Sequence, residues 1–129
     1  PTSSGGASIA STLRNAPLGW AATWLLFRAV GAVVTVPLAE ELTFRGFLTR
    51  RLISADFDAV PLGRFTWFSF IASSILFGVL HEQWLAGILT GMIYAGVVYR
   101  RGKLADAVIA HAATNCVVGL FSLAKALGY

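Results

Sequence analysis

Residues 65–80 read FTWFSFIASSILFGVL, residues 81–83 HEQ and residues 84–99 WLAGILTGMIYAGVVY. Two charge-free runs of sixteen residues thus flank a polar turn. Sixteen falls just short of the roughly 17–25 residues that cross a bilayer core. Such runs cross with the help of polar flanks, or they surround a thinned cavity, and the turn between them then lies within the membrane region. Polar or irregular backbone at that depth is tolerated only against protein or a water-filled cavity. A wet cavity inside a membrane is what hydrolysis there requires.

The rest of the chain repeats the theme. Residues 104–124 form a third apolar run, containing Asp106, His111 and Asn115, while residues 55–64 carry Asp56, Asp58, Pro61 and Gly63 as loop punctuation. Residues 40–54 read as a helix with Glu41, Arg45, Arg50 and Arg51 set among Leu, Phe and Ile. From Pro17, acceptable in a first helical turn, apolar content stays high to Ala39, interrupted by Arg28 and by Pro37. Pro37 is expected to kink or break a helix passing through it, so one span or a span followed by a kinked helix both fit. Residues 1–16 are small and polar and read as a linker or loop ahead of a core over 17–129. With no initiator Met and no signal-peptide organisation, the sequence is expected to be part of a longer chain.

Composition agrees. The chain is 57% hydrophobic and 12% charged, against the roughly 25% charge usual in soluble domains. The expected fold is an all-α, polytopic transmembrane helical bundle of about four to five membrane-embedded helices. The net charge of +4 does not point to nucleic acid, because the basic residues sit beside apolar runs. Arg50, Arg51 and Arg64 flank one loop, and Arg100, Arg101 and Lys103 make another. Two crossings lie between these loops, so both are expected on one side, and the positive-inside rule makes that side cytoplasmic. A single cysteine, Cys116, excludes an internal disulfide and a cysteine-based zinc site.

Ionisable groups in membrane helices cost about 2.5–3.5 kcal/mol each on insertion scales, so they are candidates for function. Here they fall in a pattern: Glu41-x-x-x-Arg45, Phe77-x-x-x-His81 and His111-x-x-x-Asn115 each mark one face of one helix. Glu41 and Arg45 have the spacing of an intrahelical ion pair, whereas Glu40 lies about 100° round the helix as a free carboxylate. Glu40 is therefore the candidate general base, with His81 orienting the water or sharing its proton. His111 and Asn115 offer N–H donors suited to the oxyanion of a tetrahedral intermediate. Phe77 is expected to pack on the His81 side of the cavity. Helix rise places His81 deeper from the basic side than Glu40 or His111, so tilt must close a gap for them to meet.

Other hydrolytic schemes fit less well. His81-Glu82-Gln83-Trp84-Leu85 begins like a zinc HExxH motif but lacks the second His, and Ser73 and Ser74 have no GxSxG setting. Glu40, His81 and His111 form an alternative zinc set, two His and one carboxylate, although no cofactor is required by the reading above. The rival class is a non-catalytic membrane module, of bacteriocin-immunity or scaffold type, that keeps the polar residues as a binding site or as an interhelical clamp.

Glu40-Glu41-Leu42-Thr43-Phe44-Arg45-Gly46, Phe77-Gly78-Val79-Leu80-His81 and His111-Ala112-Ala113-Thr114-Asn115, in that order, resemble the CPBP family. That family groups CAAX prenyl endopeptidases with bacteriocin-processing and self-immunity proteins. The resemblance implies an intramembrane endopeptidase acting on a membrane-associated protein or peptide. It makes Glu40 the catalytic glutamate acting with His81, His111 and Asn115 the oxyanion pair, and Glu41 and Arg45 supporting residues. The stretch over residues 56–64, followed by Trp67, also resembles a bacterial branch associated with exosortase systems, implying a bacterial membrane or exported protein and not a prenylated CAAX tail as substrate; the expected location is a bacterial inner membrane.

Overall fold

The computed structural model describes residues 11–127, and these are helical with no strand among them. Helix α1 is Leu18–Val30, α2 Val36–Glu41, α3 Trp67–Val79, α4 Trp84–Arg101 and α5 Leu104–Leu127. The all-α expectation therefore holds, and two helical stretches, Leu18–Arg51 and Leu104–Ala126, are long and apolar enough to cross a membrane. Of the expected linker over residues 1–16, residues 1–10 lie outside the described residues and residues 11–15 are helical.

Pro37 does not break its helix: the run Leu18–Arg51 is helical throughout. The backbone absorbs the proline by loosening on both sides, with π-helical turns at Gly31–Thr35 and Leu42–Leu48 bracketing α2. Widening the preceding turn relieves the clash between the proline ring and the carbonyl four residues back. Side chains take up carbonyls around the second π stretch, with Thr49 Oγ1 donating to Arg45 O at 3.0 Å and Arg50 Nη1 to Gly46 O at 2.9 Å.

The chain divides into two compact units, Pro1–Thr35 with Ala112–Tyr129, and Val36–His111. In the first, α1 buries none of its residues and turns Leu18, Trp20 and Phe27 outward. Soluble monomers rarely expose so much contiguous apolar surface, whereas lipid-facing helices must.

The second unit holds the core: Phe44, Phe77, Tyr94, Val98 and Ala107, with Leu48, Leu62, Leu104 and Ala110 packed around it. Thr66 starts α3 as a capping residue whose side chain accepts from Ser69 N, and Gly102 ends α4 in the left-handed conformation at φ 64°. Contact between α3 and α4 depends on missing side chains. A Cβ on Gly78 would stand 2.3 Å from Ile88 Cγ1 and 2.6 Å from two α4 backbone atoms, and one on Gly87 would stand 2.9 Å from Gly78 Cα. The two basic loops meet at one end of this unit, where Gly63 lies against Tyr99 O and Gly102 Cα, and Phe65 packs edge-on to Tyr99. The 55–64 loop is held by Arg50, whose Nε donates to Val60 O at 2.7 Å.

Candidate active site

Glu40 and Glu41, the last two residues of α2, point in different directions, as their 100° separation on a helix requires. Glu41 is fully buried and Glu40 half-buried. Glu41 Oε1 stands 3.2 Å from Arg45 Nη1, the expected intrahelical pair. The same oxygen lies 3.0 Å from His111 Nδ1, a second role that spacing alone did not reveal.

Arg45 is locked from several sides. Its Nη2 donates to the Gly91 carbonyl at 2.6 Å, and its guanidinium carbon sits 4.5 Å from the Phe77 ring centroid. The charge is met by a carboxylate, a carbonyl and an aromatic face, which is how a buried cation is retained.

His81 follows α3 in the turn before α4. Its Nδ1 lies 2.7 Å from Phe77 O, and its ring is 4.6 Å from the Phe77 ring, so Phe77 does pack on the His81 side. A carbonyl only accepts, so Nδ1 carries the proton and a neutral His81 turns the Nε2 lone pair outward. His111 Nδ1 likewise faces a carboxylate, and its ring stacks on Tyr94 at 4.7 Å with planes 17° apart.

Both Nε2 atoms converge on one oxygen. Glu40 Oε2 is 3.8 Å from His81 Nε2 and 3.8 Å from His111 Nε2, buried and, among the described residues, without a hydrogen-bond partner. The depth difference from counting helix rise does not separate these groups. A gap of 3.8 Å is too long for a direct hydrogen bond, and a water placed beside both atoms can bridge them. Among the described residues no group of three or more His, Cys, Asp and Glu side chains is spaced to hold a metal ion.

Residues 21–117, most of the chain, match the family described as type II CAAX prenyl endopeptidase, Rce1-like. The chain belongs to this Rce1-like family. No curated protein and no solved structure matches it. Membership carries CAAX-type endopeptidase activity at the level of the family and a place in the membrane, in agreement with the two candidate spans.

Of the residues singled out in the sequence, Glu40, Glu41, Arg45, Phe77, His81 and His111 gather in the second unit of this Rce1-like protein. Asn115 belongs to the first unit, where its Nδ2 donates to Ala32 O at 2.8 Å. Two contributors went unread: Tyr94, which fixes the plane of His111, and the Gly91 carbonyl that anchors Arg45. The only signal for them was the small-residue spacing Gly87 and Gly91, legible as close packing and no more.

Proposed function

We propose that this Rce1-like chain is a glutamate-dependent endopeptidase that hydrolyses a peptide bond of a membrane-associated protein. The observation that carries the reading is the convergence of two imidazole Nε2 atoms on the buried, unpartnered Glu40 Oε2. A water in the Glu40–His81 gap donates one proton to the carboxylate and the other hydrogen to His81 Nε2, leaving a lone pair for the substrate carbonyl carbon. As the carbon–oxygen bond forms, Glu40 takes the proton. The carbonyl oxygen becomes an oxyanion beside His111 Nε2, the oxyanion-binding group, whose ring Glu41 orients at Nδ1. Glu40 then passes its proton to the departing nitrogen as the carbon–nitrogen bond breaks. For Asn115 as a second oxyanion donor, the support is its spacing from His111 in the sequence.

The two basic loops are assigned to the cytoplasmic side of a bacterial inner membrane by their charge. The resemblance over residues 56–64 favours a bacterial membrane or exported protein as substrate.

Glu40→Gln, made in the full-length protein and assayed on a membrane-anchored peptide, is expected to lose about 10²–10⁴-fold in cleavage rate. Its melting temperature in detergent is expected to stay unchanged. Retained cleavage overturns the mechanism; melting with the mutation identifies Glu40 as part of a structural clamp instead.

A further inference from the structure

In the first unit, the residues just before and just after α1 are tied to α5 at two places, leaving a groove between α1 and α5. Arg14 Nη2 donates to Ala126 O at 2.6 Å, and Asn115 Nδ2 to Ala32 O at 2.8 Å. Between these ties lies a cavity of about 520 Å³ with an almost wholly apolar lining that includes Leu25, Val33 and Leu120. Its polar side chains are few, and they can be accounted for one by one. Asn115 Nδ2 donates to Ala32 O and Ser122 Oγ to Val118 O, each at 2.8 Å, so each already has a partner within the unit. Cys116 is a free, exposed cysteine. The remaining one, Arg28, carries a full charge and has neither an ion pair nor a hydrogen bond among the described residues.

A guanidinium on a membrane helix is costly unless an anion or water meets it. A slot that is apolar along its length and cationic at one side chain is complementary to an amphiphile with an anionic head. We propose that this groove binds an anionic phospholipid of the bilayer, one acyl chain lying along α1 and α5 and the phosphate paired with Arg28. Guanidinium and phosphate form two parallel, charge-assisted hydrogen bonds, a geometry that lysine does not reproduce. This binding rests on Arg28 and the apolar lining and draws on none of the chemistry proposed for Glu40.

The test is native mass spectrometry of the purified protein from micelles holding equal amounts of phosphatidylglycerol and phosphatidylcholine. The wild type is expected to retain phosphatidylglycerol preferentially, and Arg28→Gln to lose that preference by on the order of tenfold. Arg51→Gln, at an exposed arginine beside the loop, is the control for general attraction and is expected to keep the preference. Gly119→Leu adds a side chain where nothing lies within 4 Å of the glycine and is expected to reduce retention of both lipids by filling the groove. An unchanged preference in Arg28→Gln overturns the proposal, as does an equal loss in Arg51→Gln. If lipid retention is unaffected and Arg28→Gln instead raises KM only for peptides with a free C-terminal carboxylate, the groove holds substrate and the lipid assignment is wrong.

Discussion

Two adjacent glutamates in one helix turn stand in opposite surroundings. Glu41 meets Arg45 and His111 and is fully buried; Glu40 keeps an unpartnered oxygen between two imidazoles. Their substitutions should therefore separate. Glu41→Gln leaves Arg45 with a buried charge lacking its carboxylate, and breaking such a pair costs about 3–5 kcal/mol. It is expected to lower the melting temperature in detergent and abolish cleavage together, whereas Glu40→Gln removes cleavage alone. Equal melting temperatures for the two variants would show that Glu41 is not the structural member. The same division predicts that dialysis against a zinc chelator leaves the cleavage rate unchanged, since the proposed water is activated by a carboxylate and an imidazole. Loss of activity restored by added zinc would replace that scheme with a metal-bound water.

Between elements, the decisive contact is α3 against α4, because it sets where His81 begins its turn. Gly78 has no room for a methyl group against α4 backbone, while Gly96 has nothing within 4 Å. Gly78→Ala is thus expected to destabilise by more than the usual overpacking cost of about 1–3 kcal/mol. Gly96→Ala should be neutral or slightly stabilising, as alanine favours a helix interior. Thermal melts of the two variants measure the difference, and similar values would mean that α3 and α4 are not held at this distance. Gly91→Ala falls between them, with Phe77 Cδ1 at 3.2 Å from the added carbon. Its effect is expected on cleavage more than on melting, because Phe77 carries both the carbonyl that orients His81 and the ring beneath Arg45.

For the molecule as a whole, the consequence of the paired basic loops is topological. Gly63 packs against Tyr99 and Gly102, so the loop over 55–64 and the short turn between α4 and α5, with Arg100 and Arg101 in the last turn of α4, share one end of their unit. With Cys116 replaced by Ser, single cysteines introduced as Asp58→Cys and Lys103→Cys are expected to resist an impermeant maleimide in intact spheroplasts. Both should react once the membrane is opened. Reaction of both from outside would invert the assigned orientation, and reaction of only one would separate the loops.

Composition and spacing were enough to determine an all-helical membrane protein and to single out Glu40, His81 and His111, because bilayers penalise polar groups that have no task. The Glu41–Arg45 pair was legible for the same reason, as a local i,i+4 relation written along one helix. Long-range relations were not. Counting helix rise set His81 and Glu40 at different depths, since a linear count contains no tilt and no close glycine contact; the structure brings them to 3.8 Å. Pro37 left a break or a kink open, and the structure excludes the break by carrying the helix through it with π turns on either side. The bond from Glu41 to His111, the stacking of Tyr94 and the anchoring of Arg45 by Gly91 join residues far apart in the chain. Those partners are chosen by packing in three dimensions, and only the tertiary structure decides them.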